Sequence, residues 1–158
     1  KYNVSKEKAT MDIKLTEREF DLLVFIKNIW DFEEKNPGNI PEGGIGEIAI
    51  SSFDYEPDEY GECLQELRQL KLVDGDEKIT EAGNDCLIEY YTEAEKICKE
   101  KGIENPFAEQ LQQLRALSKQ IRKEKITLEQ AVDYIYKMVV IANGLLASVE
   151  IIRNLILK

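Results

Sequence analysis

Apolar residues recur along this chain at helical spacing, interrupted by two stretches of another character. Phe20, Leu23, Val24, Ile26, Ile29 and Trp30 occupy more than half a helical circumference, which predicts a helix over about 16–33 covered on two sides. Its start is marked by "LTEREF", where Thr16 and Glu19 have the spacing of a capping box and Leu15 and Phe20 that of a hydrophobic staple. The proline- and glycine-rich run "EEKNPGNIPEGGIG" then predicts a loop over 33–46. "EIAISSF" is open between a helical turn and a strand. Pro57 suits a first helical position, Asp58 and Glu59 suit the N-terminal dipole, and Tyr60, Cys63, Leu64, Leu67 and Leu70 form one stripe, so a helix is expected over 57–71.

"LVDGDEKIT" breaks the helical period. Two short extended pieces around Asp74-Gly75 predict a small β-hairpin. A helix over about 81–101 follows, burying Leu87, Tyr91, Ala94 and Cys98 and ending at Gly102 in the left-handed conformation. Asn105 as cap and Pro106 in the first turn open another helix, with Phe107, Leu111, Leu114 and Ile121 inward. Thr127 and Gln130 repeat the capping-box spacing and start a helix that reaches toward the C-terminus. Residues 1–13 are polar and aperiodic and read as a flexible arm.

The last helix bears on assembly. Leu128, Ile135, Ala142, Val149 and Ile156 lie seven apart, and Val132, Val139 and Leu146 interleave with them. About thirty residues at 1.5 Å make a rod of roughly 45 Å. A small domain hardly covers such a rod on so many sides, so a homodimer or partner interface is expected at Ile135, Val139, Ala142, Leu146, Val149 and Ile152. The competing reading is a central core helix wrapped by its own neighbours.

The order helix, short element, helix, hairpin, helix over roughly 16–102 resembles the winged helix-turn-helix superfamily. "LQELRQLKLVDGD" resembles a recognition helix running into a wing, and "KITEAGNDCL" a wing strand ending at Thr80 with Gly83 letting the next helix start against it. The resemblance implies a fold that is mainly α with a small β-hairpin. It divides the chain into a winged-helix-like domain over 14–102 and a C-terminal helical hairpin with a long terminal helix over 103–158. It also implies a DNA-binding transcription regulator that dimerises through its tail.

Charge redirects that implication. Of 31 acidic and 21 basic residues, 15 acids and 5 bases fall between 51 and 100. With Leu64, Leu67 and Leu70 inward, the third helix turns Asp58, Glu62, Gln65, Arg68 and Gln69 outward, flanked by Glu59 and Glu66. The hairpin adds Asp74, Asp76 and Glu77. Phosphate neutralisation dominates non-specific DNA affinity, and this rim would repel a duplex. The expectation is therefore a non-catalytic binding and regulatory module that meets another protein through Asp58, Glu62, Glu66, Asp74, Asp76 and Glu77. The alternative is a dimeric DNA-binding regulator reading base edges with Gln65, Arg68 and Gln69. Arg115, Lys119 and Arg122 share one helical face and read as a solvated or internally paired stripe.

No enzyme is expected. The chain has no histidine, and it contains no GxSxG, P-loop or GxGxxG pattern. Three cysteines without a CxxC pair suit buried thiols rather than disulfides or zinc, and no cofactor or metal is expected. No signal peptide or membrane span is legible, so a cytoplasmic location is expected. The opening "KYNVSKEKAT" has no methionine, which suggests a longer product or a removed tag.

Overall fold

The computed structural model describes residues 13–156, apart from the side chains of 94 and 148–156. Six helices are described: α1 (Glu17–Lys35), α2 (Ile45–Ser52), α3 (Pro57–Gln69), α4 (Glu81–Lys101), α5 (Ala108–Lys123) and α6 (Leu128–Ile156). The flexible arm expected at the N-terminus falls almost wholly outside the described residues.

α1 is the centre of the molecule, and its sequence says why. Phe20, Leu22, Leu23, Val24, Phe25, Ile26, Ile29 and Phe32 are all fully buried or nearly so, which leaves it little solvent-facing side. A helix apolar nearly all round must be surrounded, and α1 packs against each of the other five. Its start is fixed by the capping box: Glu19 N donates to Thr16 Oγ1 at 3.2 Å, and Thr16 N donates to Glu19 Oε1 at 2.9 Å. The same device opens α6, where Gln130 N donates to Thr127 Oγ1 at 3.1 Å and Thr127 N to Gln130 Oε1 at 2.9 Å. Gly102 ends α4 at φ 67°, in the left-handed region.

Ile45, Ile48 and Ala49 resolve the ambiguous "EIAISSF" segment as helical, because all three bury together against the core. α5 begins two residues later than the sequence suggests. Asn105 Oδ1 accepts from Phe107 N at 2.9 Å, so its side chain closes a turn ahead of the helix rather than capping the helix itself.

The β-hairpin does not form, and the fold is all-α among the described residues. Residues 72–80 make a tight turn with one antiparallel bridge, Val73 to Ile79. Asp74 N donates to Lys78 O at 2.8 Å and Thr80 N to Leu72 O at 3.0 Å. The two-residue turn expected at Asp74-Gly75 is replaced by a wider one. Asp74 Oδ1 accepts from both Asp76 N (2.8 Å) and Lys78 N (3.0 Å), and Glu77 takes φ 61°. An aspartate that satisfies local amides competes with ladder pairing. The expectation of a winged domain built on strands is thereby overturned.

Ile135, Met138, Ala142 and Leu145 of α6 are buried against α1, α4 and α5, and Ala131 is buried at the start of the helix. One continuous apolar cluster runs from Phe20 to Leu145, across the boundary drawn at 102–103. No described helix is long and apolar enough to cross a membrane.

Candidate functional site: an anionic helix and turn

α3 buries Tyr60, Cys63, Leu64 and Leu67 and so turns its other side to solvent. Asp58, Glu62, Gln65, Arg68 and Gln69 are exposed there, and Glu66 is half-buried. The turn adds exposed Asp74 and Asp76, with Glu77 half-buried. Helix and turn thus bring the sequence-identified acids and the three candidate base readers onto adjoining surface.

The turn is anchored from three directions. Trp30 Nε1 of α1 donates to Glu77 O at 2.7 Å, and Lys78 Nζ lies 5.1 Å from the centre of the Trp30 ring. Thr80 Oγ1 donates to Lys71 O at 2.7 Å and accepts from Gly83 N at 3.0 Å, capping α4. Gly83 sits so close to the turn that a Cβ there would overlap Leu72 O and lie 2.7 Å from Ile79 Cγ1. Arg68 supplies the third anchor. Its Nε donates to Asp74 O and its Nη2 to Gly75 O, each at 3.3 Å, with Glu77 Oε1 at 3.9 Å. The one cation among the candidate base readers is therefore spent on its own backbone.

α3 is tied to α1 through Arg18. Its guanidinium lies 3.7 Å from the centre of the Tyr55 ring, donates to Phe53 O at 3.1 Å, and meets Glu59 Oε1 at 3.3 Å. Tyr55 hydroxyl donates back to Arg18 O at 2.7 Å. Burial pushes the Tyr55 hydroxyl well above the usual phenol range, so it stays a donor. Glu59, which flanks the acidic face in the sequence, is thus partly neutralised. Asp58, Glu62, Asp74 and Asp76 have no cation within 4 Å among the described residues.

The side chains expected at an oligomer interface lie elsewhere. Ile135, Val139 and Ala142 are buried within the chain, and Leu146 is half-buried against the same core. Val149 and Ile152 lie outside the described side chains, as does Ala94. On the opposite side of α6, Tyr136 and Val140 are 54% and 56% exposed. The basic stripe is partly consumed: Arg115 Nη2 donates to Glu95 Oε1 at 2.8 Å.

Two buried polar residues were not singled out from the sequence. Asp21 and Asn28, seven apart on α1, are the buried polar residues of the core among the described residues. Asn143 Nδ2 donates to Asp21 Oδ1 at 2.7 Å, and Arg18 Nη1 lies 3.7 Å from Asp21 Oδ2. Burial raises the Asp21 carboxyl from the ordinary 3.8 to about 6, although the Asn143 amide and the Arg18 guanidinium pull it down. The signal was present in "FDLLVFIKNIWDF", where each interrupts an apolar run on the inward side.

All three cysteines are buried and free. Burial pushes the Cys63 thiol up to about 11 and the Cys86 thiol up to about 12, so neither carries the thiolate that nucleophilic chemistry needs. Among the described residues no three histidine, cysteine or carboxylate side chains converge as metal ligands. No family model, curated protein or solved structure matches the chain.

Proposed function

We propose that this protein is a non-catalytic binding module that meets a cationic surface of another protein through α3 and the 72–80 turn. The observation that carries this reading is the fate of Arg68, whose guanidinium faces two backbone carbonyls and Glu77. With Arg68 so occupied, Asp58, Glu62, Asp74 and Asp76 set the field of that face. The three anchors hold the turn before any partner arrives, which lowers the ordering cost of association. Gln65 and Gln69 remain exposed and could contact a base, but the nearby exposed cation Lys71 stands against four exposed acids, which disfavours a phosphate.

Two titrations test the reading. A labelled mixed-sequence duplex is expected to give no anisotropy change at about 50 mM salt. A lysine-rich peptide is expected to bind, with affinity that falls as salt rises. The combined variant Asp58→Asn, Glu62→Gln, Asp74→Asn and Asp76→Asn should weaken that binding by about tenfold or more. The Asp74→Asn change keeps an oxygen that accepts from the turn amides, so the fold is expected to stay. Unchanged peptide affinity in the variant refutes the reading. Salt-sensitive duplex binding lost on Arg68→Glu replaces it with the DNA-binding alternative.

A further inference from the structure

α5 and α6 pack side by side and leave an open groove of about 610 Å³ between their outer faces. Leu117 and Ile141, each half-buried, contribute to its lining, and Tyr136 and Val140 stand out from it. These two side chains are 54% and 56% exposed, the highest values for large apolar residues among the described residues, and they sit one helical turn apart. The Tyr136 ring is braced against Phe53, with centroids 6.3 Å apart. Single exposed apolar residues need no explanation, but a pair beside an apolar groove makes a patch. Its charge sets it apart as well. Among the described residues no carboxylate lines the groove, and its cation, Lys137, is paired with Asp133 at 3.1 Å. Residues 101–158 hold nine basic and six acidic side chains, in a chain whose net charge is −10. Two copies of such a chain repel most where their acids crowd, and least through this face.

The outward stripe of α5 is complementary to itself. Glu109, Ala116 and Lys123 lie seven apart, with Gln113 and Gln120 between them, so all five share one helical face. All are exposed except Gln120, which is half-buried. Turned about a two-fold axis through Ala116, the stripe sets Glu109 against the partner's Lys123 and Gln113 against the partner's Gln120. Ala116 meets its own copy, and its small side chain lets the two helices approach closely. Within the chain, neither Glu109 nor Lys123 has an opposite charge within 4 Å among the described residues.

We propose that this face is a homodimer interface, in which α5 of each copy lies antiparallel along the α5–α6 groove of the other, over Tyr136 and Val140. It takes the place of the interface expected at Ile135, Val139 and Ala142, whose side chains the chain's own core covers. The contact is isologous, as a closed two-fold dimer requires. The sixteen residues of α5 span about 24 Å, and two adjacent helices are about 20 Å wide, so roughly 1,000 Å² is buried over both copies. That is the lower end for a specific interface, which makes the dimer weak and reversible. The apolar centre supplies most of the affinity, while the exposed Glu109–Lys123 pairs fix the antiparallel orientation. The interface shares no residue with the anionic face of α3 and the turn, so either reading stands if the other fails.

Sedimentation equilibrium of the full chain, at rising concentration up to about 1 mM, should show the mass passing from one chain toward two. Val140→Asp and Ala116→Glu both fall at exposed positions and are expected to keep wild-type circular dichroism. Each should weaken the dimer by about tenfold or more, Ala116→Glu because it sets two like charges against each other at the axis. Glu109→Lys or Lys123→Glu alone makes both rim pairs repulsive and should weaken it by about threefold to tenfold. Combining those two reversals restores opposite charges across the axis and should recover most of the wild-type affinity, which a mere change in helix stability would not do. Monomer mass at every concentration overturns the proposal and leaves the groove to a different occupant. A dimer untouched by Val140→Asp and Ala116→Glu overturns it by placing the contact elsewhere. A double reversal no tighter than the single ones overturns it too, because the stripe then does not face itself.

Discussion

The outer surface of α3 and the Asp21–Asn143 contact both place carboxylates on this protein, with opposite physical weight. On α3 and the turn, four exposed acids crowd one face, yet water and salt screen each of them. At Asp21 a single carboxyl inside the core draws on an amide from α6 and a guanidinium from α1, and its acidity still moves far from ordinary. Charge that is plentiful outside shapes long-range attraction. Charge that is scarce inside sets stability and its dependence on pH.

The largest expected effect falls on the scaffold that presents the outer acids. Gly83→Val forces a side chain into Leu72 O and Ile79, and it should cost about 3 kcal/mol of unfolding free energy in urea titrations. The accompanying loss of peptide binding would come from displacement of the turn rather than from charge.

Next comes the inner carboxyl. Asp21 binds its proton more tightly folded than unfolded, so its contribution favours folding below about pH 4 and is lost as pH rises through about 6. Asp21→Asn should therefore raise stability at pH 7.5 by about 2 kcal/mol and flatten the profile between about pH 4 and 7. An asparagine there still offers an oxygen to Asn143 Nδ2. Chemical unfolding of both chains across that window reads the effect, and a variant less stable at pH 7.5 would show that the Arg18 attraction outweighs the burial cost.

A smaller change is expected at the clasp between α1 and α3. Tyr55→Phe removes the 2.7 Å hydrogen bond to Arg18 O and should cost about 1 kcal/mol, read as a lower urea midpoint with unchanged slope. The smallest belongs to the outer acids. Glu62→Gln alone should alter stability by less than about 0.5 kcal/mol, because a solvated carboxylate has little to lose. A shift above about 1 kcal/mol would mean that this surface does structural work and would erase the contrast.

Local signals in the sequence proved dependable at several helix ends, though Asn105 closes a turn ahead of α5 instead of capping it. The close approach at Gly83 was implied by the family resemblance of "KITEAGNDCL", and the capping boxes at Thr16/Glu19 and Thr127/Gln130 and the left-handed Gly102 were legible from residue type and spacing. The hairpin was not, since the carboxylate of Asp74 satisfies two amides that strand pairing would otherwise order. The long stripe of α6 signalled burial without saying by what, and for Ile135, Val139 and Ala142 the cover is the chain's own core. Periodicity counts apolar positions, so it passed over Asp21 and Asn28, the two inward positions that break the rule. Whether acids such as Glu59 are already neutralised depends on Arg18, 41 residues away, which no local pattern encodes.

The reach of the Asp21–Asn143 contact has a consequence for biogenesis. Its partners are 122 residues apart, so the central helix of the fold emerges from the ribosome long before the helix that covers one of its sides. At about 5–20 residues per second, that interval lasts on the order of ten seconds. Throughout it, the apolar side of α1 that awaits α6 stands bare, and holdase chaperones have their best opportunity to bind the nascent chain there.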